Sequence, residues 1–549
     1  RIKHNIGTAK IVLSNLYYSH AVQEEDPEKI NWNVLGAFDK FRTDQVDSSK
    51  IDTNTVKKYV TFECATRQYK RHGEYCCERI SINGKKTHAY KQVISIKDFM
   101  MNLIPKGHPY WDITAKEGTR KDILAYLTEY NEPEDFPELV KNRNMYSFKN
   151  GTWINRIEEG GKIVERFFPL GKQIPTEFST YASSKYFDCN FDYKDIVPDE
   201  EDNWFDIITT KCPNLMKLMQ SQKWNIPVQK WFVVMITRCM YARGDLDNWQ
   251  VDPYFLGLAG TGKSTAINYI AEKMFETVDV GAISNNCERK FALQSIYDKF
   301  IIVASEVKKD FCLEQATWQQ MISSESVSVA IKHKDAKIIQ KWDVPGIYAG
   351  NEVPDYADNS GAVSRRLIIF RFDYFIDPAK ADDKLPKKLE LEVPYIMLAG
   401  ARGYLGKINS SSASTNIWNI VPSYFKEQRM EIASSTHALQ GYLEEMKKEG
   451  VIKFKHFESD EELLNDKKYY IYPKEFKDNF MRWCGDSGKQ KPNWKKEYYD
   501  GIFKKYKIKE TPSRRRRNWP PGEDDTYCRI WFHGICYTEY FTEETEDEF

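Results

Sequence analysis

The chain has 549 residues, and its 80 Lys plus Arg are balanced by 80 Asp plus Glu. At roughly 100–200 residues per domain, this length predicts three or four domains with ample buried cores. Zero net charge excludes a polyanion partner chosen by overall charge, so any nucleic-acid surface must come from local clustering.

The chain opens on Arg1 rather than Met, which suggests a piece of a longer or processed protein. Residues 1–144 form a mixed region of unclear role, with lysines interleaved among Tyr and Phe. Cys64, His72, Cys76 and Cys77 lie near one another here but match no familiar zinc spacing. The eleven cysteines, odd in number and without repeated CxxC pairs, read as reduced thiols. Residues 145–202 read as short strands: Tyr146–Phe148, a turn at Asn150-Gly151, then Trp153 and Ile154, and a second turn at Gly160-Gly161. From Trp204 to Tyr241 apolar residues recur at helical spacing, which predicts helices over residues 203–250. No run of about 20 apolar residues and no signal peptide is present, which argues against a membrane partner.

Residues 251–407 carry the chemistry. Pro253–Leu256 reads as a buried strand that stops at Gly257. There follows Gly257-Leu258-Ala259-Gly260-Thr261-Gly262-Lys263-Ser264-Thr265, a match to GxxxxGK[ST] placed between strand and helix. Glycines let backbone N–H groups wrap phosphates, with the positive end of the next helix aimed at them. Lys263 neutralises β/γ-phosphate charge and the Ser264 hydroxyl ligates Mg²⁺. Apolar Ile267, Ile270, Ala271, Met274 and Phe275 mark that helix.

Phe300–Glu306 is an apolar strand ending in a carboxylate, suited to holding Mg²⁺ or orienting the attacking water. Any buried strand can end in an acid, so its distance from Lys263 carries the reading. Val344–Asn351 is another apolar run, ending in an amide that could touch the γ-phosphate or simply close a turn. Ser364-Arg365-Arg366 precedes the strand Leu367–Phe370. Either arginine could serve as an arginine finger in a neighbouring subunit, or both could be surface residues. Between these lies alternating Val327–Ile331, then Lys332-His333-Lys334-Asp335, then Ala336–Ile339, a β-hairpin with a basic tip. Its tip could grip strand phosphates in a channel or be a solvated turn.

The order of P-loop, Glu-ended strand, basic hairpin, Asn-ended strand and arginine pair, all within Gly257–Arg366, resembles a superfamily 3 helicase. Asp247-Asn248-Trp249-Gln250 before Phe255-Leu256-Gly257 is similar to primase–helicases of large cytoplasmic DNA viruses, the poxvirus and African swine fever virus type. Phe148-Lys149-Asn150-Gly151 resembles the domain that precedes the motor in that family. The resemblance covers about Met145 to Lys407. It implies an α/β fold: an AAA+-like motor at 251–407, a helical collar at 203–250 and a connecting α+β domain at 145–202. It also implies ATP and Mg²⁺ as cofactors, a hexameric homo-oligomer, translocation on single-stranded or forked DNA, and viral replication in the host cytoplasm. In that picture Lys263, Glu306, Asn351 and Arg365 or Arg366 are catalytic. Gly257, Gly260, Thr261, Gly262, Lys263, Ser264 and Thr265 bind nucleotide. Ser264 and Glu306 serve Mg²⁺.

The sequence departs from the family where Ser305, not a second acid, precedes Glu306. Water orientation then falls to Glu306, with Ser264 and waters handling the metal. The viral family often carries a primase upstream; Asp188 and Asp192 make no convincing primase pattern, so none is assigned to this chain, and a part N-terminal to it could hold one. No His-x-His pair supports a nicking domain.

The polar run Asn409–Asn416 predicts a linker over residues 408–438. Residues 439–549 read as a winged-helix-like C-terminal module. Arg514, Arg515, Arg516 and Arg517 beside Trp519 are its candidate DNA contacts, alongside Lys332, His333 and Lys334 of the hairpin. An alternative function is a P-loop ATPase that remodels proteins or nucleoprotein assemblies without unwinding. RNA stays open as a substrate, since phosphate-gripping motifs do not reveal the sugar.

Overall fold

The computed structural model describes residues 52–129, 136–193, 203–284, 288–354, 356, 362–376, 382–410, 415–436, 438–466, 468–487, 491–492, 494–515 and 527–538. The chain divides into two units, Arg1–Pro198 and Asp199–Phe549.

In the first unit, helix α1 (Thr53–Thr66) begins at Asp52, whose carboxylate caps the Thr55 N–H. The strands β1 (Lys70–His72), β2 (Tyr75–Ile82) and β3 (Lys85–Ser95) form an antiparallel sheet. Its inner face packs with α1, α2 (Ile96–Leu103) and α3 (Glu117–Glu129) around Val60, Phe99, Met100 and Ile123. Cys64 and Cys76 are fully buried in this core, and burial pushes the neighbouring Cys77 thiol up to about 11.

A second sheet holds β4 (Lys141–Phe148), β5 (Gly151–Glu159), β6 (Lys162–Pro169) and β7 (Ala182–Phe187) in the order β6-β5-β4-β7. Phe148 pairs with Gly151, so the first turn centres on Lys149-Asn150, one residue before the expected pair. Gly160 and Gly161 both take positive φ and close the second hairpin, as that tight turn requires.

His88 on β3 meets the Thr152 hydroxyl on β5 at 3.1 Å. Burial, reinforced by Arg79, pulls its imidazole down to about 4. Between about pH 6.5 and that value the unfolded chain takes up a proton that the folded one refuses. This contribution to stability is therefore complete above pH 6.5 and declines as pH falls toward 4. His88→Gln flattens that part of the melting-midpoint profile of the intact chain; an unchanged slope in the variant contradicts the assignment.

The second unit begins with three helices, α4 (Trp204–Lys211), α5 (Pro213–Ser221) and α6 (Ile226–Arg238). Asn225 caps α6 by accepting from the Val228 N–H at 3.0 Å, and Pro227 fits the first turn. α6 is buried nearly all round, from Trp231 to Arg238, because strands lie on one side and a 25-residue helix, Leu385–Asn409, on the other. At its end Arg238 pairs with Asp247 at 2.7 Å and donates to the Val251 and Trp249 carbonyls. Losing one partner of such a buried pair costs about 3–5 kcal/mol. Glu392 of the long helix accepts from the N–H groups of Asn214 and Leu215, each at 2.9 Å, satisfying the start of α5.

Five parallel strands follow: β8 (Asp252–Gly257), β9 (Val280–Ala282), β10 (Ile301–Val307), β13 (Gly346–Gly350) and β14 (Leu367–Phe372). Their order is β14-β8-β13-β10-β9. β8 is buried at every position, the pattern of a strand covered on both faces. The protein is thus an α/β chain with a central parallel sheet. The helical run after the P-loop extends from Lys263 to Met274 but is α only to Ala266, then π and 3-10. Phe275, expected in the helix, is extended.

Residues 408–438, expected as a linker, carry a 14-residue helix, Ser423–Thr436. It buries Phe425 and Ile432, and its Tyr424 hydroxyl accepts from the Arg371 N–H of β14 at 2.9 Å. The serine-rich run before it hid an apolar face that docks on the sheet. Further on, helices Ala438–Lys448, Pro473–Asp486 and Lys496–Lys505 pack on β17 (Lys509–Arg515) and β18 (Tyr527–His533) around Phe476, Phe480, Tyr499, Phe503 and Phe532. Among the described residues no helix is long and apolar enough to cross a membrane.

Candidate nucleotide site and basic hairpin

Gly257 ends β8 pressed against β14: a Cβ there would lie 2.1 Å from the Phe372 carbonyl oxygen. Gly260 and Gly262 take φ values of +77° and +98°, which a side chain strongly disfavours. The loop is also held from outside. The Gln222 amide donates to the Thr261 carbonyl at 3.0 Å and to the Tyr374 carbonyl at 3.2 Å, and accepts from the Tyr374 N–H at 3.2 Å. The Ile376 N–H donates to the Gly260 carbonyl at 3.1 Å. Gln222 belongs to no motif, and its role became visible only from its position just past α5.

The Lys263 ammonium donates to the Gly257 and Leu258 carbonyls, each at 2.6 Å, and to Asn351 Oδ1 at 3.3 Å. Burial lowers its pKa. The fold therefore brings Lys263 and Asn351 together across 88 residues of sequence. Ser264 is exposed and Thr265 half-buried in the first turn of the helical run.

Register explains why these groups meet. Leu256, Gly350 and Val307 lie side by side on β8, β13 and β10. Strands are about 4.8 Å apart, so Asn351 leaves the sheet one strand from the P-loop and Glu306 two strands from it, roughly 10 Å. β10 bulges between Ala304 and Val307, and Ser305 and Glu306 are consecutively exposed where alternation would bury one of them. A bulge re-aims a side chain at a sheet end. Ser264 and Glu306 offer the oxygen donors that Mg²⁺ prefers, an ion that keeps most of its own waters.

The arginine pair divides. Arg366 is buried, donating to Ser323 Oγ at 2.9 and 3.2 Å and to the Ala362 carbonyl at 2.7 Å. Arg365 is exposed, and its carbonyl accepts from Trp418 Nε1 at 3.0 Å. Leu367 pairs with Asp252 and Phe372 with Gly257, so the pair sits at the opposite end of the sheet from the P-loop. Five residues of strand separate them, about 16 Å. Arg365 is therefore remote from the P-loop of its own chain.

The hairpin forms as expected from β11 (Val327–Val329) and β12 (Lys337–Ile339), with Val327 opposite Ile339. Val327 and Val329 are buried and Ser328 is exposed, matching the alternation. Lys332, His333 and Lys334 are exposed at the tip, with His333 at φ +61°. Lys332 pairs with Glu288 at 3.1 Å and lies 5.2 Å from the Phe291 ring centroid. Arg514 and Arg515 lie in β17, while Arg516 and Arg517 fall outside the described residues.

Comparison with known proteins adds one family match: residues 255–366 fit the model of DUF5906, a family of unknown function. No curated protein matches the chain. Among solved structures, the chain is similar to the apo NrS-1 C-terminal region at 12% identity and TM-score 0.37, covering 84% of this chain and 95% of that one. It is also similar to the SCCmec type IV Cch active helicase, at 14% identity, TM-score 0.33, and 84% and 90% coverage. JCV helicase matches at 13% identity and TM-score 0.21 over 41% of this chain and 63% of that chain.

Proposed function

We propose that this chain is an ATP-dependent ring DNA helicase of the superfamily 3 type that couples hydrolysis to translocation on single-stranded DNA. The observation that carries the reading is the convergence of Lys263 and Asn351 at 3.3 Å on a glycine loop closing a parallel strand. Lys263 would hold β/γ-phosphate charge, Asn351 the γ-phosphate or its water, and Glu306 the attacking water. Mg²⁺ would be held by Ser264, with Glu306 nearby, and supplies charge neutralisation at the phosphates. The placement of Arg365, remote from its own P-loop and exposed, supports a site completed by the next subunit of a homo-oligomer.

The resemblance of the motif order within Gly257–Arg366 to the viral superfamily 3 helicases supports a hexameric ring acting on viral genomes in the host cytoplasm, with a primase as a candidate further partner. A basic hairpin tip favours a phosphate backbone over an unfolded polypeptide as the translocated polymer. The C-terminal module, with Arg514–Arg517, would supply further DNA contacts.

Unwinding of forked DNA in ATP and Mg²⁺ tests the reading; a chain that hydrolyses ATP but leaves every fork intact refutes it. Lys332→Ala with Lys334→Ala should cut DNA stimulation of hydrolysis about tenfold at moderate salt while keeping the basal rate. Undiminished stimulation in that double variant would remove the hairpin from the mechanism.

A further inference from the structure

Arg365 sits in the 3-10 turn Ser364–Arg366, at the start of β14. Its side chain is exposed, and among the described residues its guanidinium makes no hydrogen bond and no ion pair. A long exposed side chain on a short turn samples many positions, whereas a group acting on a transferring phosphate must be held in one. The backbone beneath Arg365 is held from two sides. From within the parallel-sheet region, Arg366 ties the turn to Ser323 Oγ and to the Ala362 carbonyl. From beyond that region, Trp418 Nε1 donates to the Arg365 carbonyl at 3.0 Å.

Trp418 is itself fixed. It lies in the four-residue helix Ile417–Ile420, where Asn416 accepts from the Trp418 N–H at 3.1 Å and Ile417 is buried. From the helix Ser423–Thr436, the Arg429 guanidinium stands over its ring, 4.6 Å from the centroid. That placement is a cation–π contact, which holds the plane of the indole. The same helix grips the far end of β14. There Arg371 donates to Gln428 Oε1 at 2.7 Å and pairs with Glu431, and Phe370 meets Phe425 edge-on with ring centroids 5.1 Å apart. One segment thus spans β14, holding the strand near its end through Arg371 and the turn at its beginning through Trp418.

A carbonyl on a surface turn bonds water about as well as it bonds an indole, so the Trp418 hydrogen bond adds little to folding. What it adds is a fixed backbone under an exposed arginine. We infer that Trp418 is a positioning residue for Arg365, with Arg429 holding the indole in place. The inference rests on the reading of Arg365 as the group that completes the nucleotide site of the next subunit. It brings into that site a residue that lies beyond Arg366, the last of the sequence motifs. A positioned group displaced by about 1 Å can lose about a hundredfold in rate.

Steady-state hydrolysis by the intact chain, with melting midpoint and sedimentation as controls, tests this. Trp418→Phe keeps a ring under Arg429 and deletes the donor. It lowers kcat about tenfold and leaves KM for ATP within about twofold, at wild-type assembly and a melting midpoint near wild type. Arg429→Met lowers kcat by a smaller factor, about threefold. Mixing assigns the effect to one side of the interface. Trp418→Phe subunits mixed with Lys263→Ala subunits hydrolyse faster than the average of the two variants alone. Mixed with Arg365→Ala subunits they do not, because both changes spoil the same face. A wild-type kcat in Trp418→Phe, a loss confined to KM, or recovery on mixing with Arg365→Ala overturns the inference. Wild-type hydrolysis in Arg365→Ala removes the finger reading and this inference with it. An inactive Arg365→Ala beside a fully active Trp418→Phe removes this inference alone.

Discussion

Replacing Lys263 with alanine lowers nucleotide hydrolysis by about a hundred- to a thousandfold, the loss expected when a charged donor to transferring phosphates is deleted. The geometry makes Lys263 hard to substitute. Its ammonium is held between the Gly257 and Leu258 carbonyls and Asn351, at the mouth of a loop whose glycines tolerate no side chain. Nucleotide would exchange those backbone partners for phosphate oxygens, with the lysine already in place. Lys263→Arg keeps the charge but brings a planar fork where a point charge fits, so it does not restore the rate. Steady-state hydrolysis with a melting-midpoint control checks this. A folded Lys263→Ala variant at wild-type rate would remove the nucleotide site from Gly257–Thr265.

The second large effect separates two adjacent arginines. Arg365→Ala lowers hydrolysis by about a thousandfold in the assembled protein and leaves the melting midpoint near wild type. Arg366→Ala instead destabilises each subunit by about 2–4 kcal/mol, because it strips the buried contacts to Ser323 and the Ala362 carbonyl. Mixing supplies the decisive control. Combining Arg365→Ala subunits with Lys263→Ala subunits creates interfaces in which an intact P-loop meets an intact Arg365, so the mixture recovers activity that neither variant has. No recovery on mixing would place Arg365 outside the site.

The strands that carry the candidate site were legible in the sequence because its groups are tied to strand ends. Pro253–Leu256, Phe300–Glu306 and Val344–Asn351 are apolar runs with a polar terminus, and they became β8, β10 and β13. What it could not show is lateral order. Only the pairing of β13 with both β8 and β10 sets Asn351 beside Lys263 and Glu306 one strand farther out. The β10 bulge that exposes Ser305 and Glu306 together is a matter of register, invisible in a single strand.

The helix Leu385–Asn409 carried no helical expectation. Pro394, Gly400, Gly403 and Gly406 are residues that weaken a helical pattern, while Pro386 fits the first turn. In the fold, Gly400 and Gly403 let it lie against Thr237 and Trp204, so tertiary packing outweighs local propensity. Gln222 shows the same limit: a lone glutamine after a helix becomes the clamp on the P-loop through partners about 40 and 150 residues away. The arginine pair was legible as a pair, but burial alone separates Arg366 from Arg365.

The most direct test of the account is ATP hydrolysis by the purified chain in Mg²⁺, with and without single-stranded DNA, at one fixed salt concentration. The account predicts hydrolysis that rises severalfold with DNA. Hydrolysis of equal rate with and without DNA would contradict the DNA motor and leave only a nucleotide-hydrolysing switch.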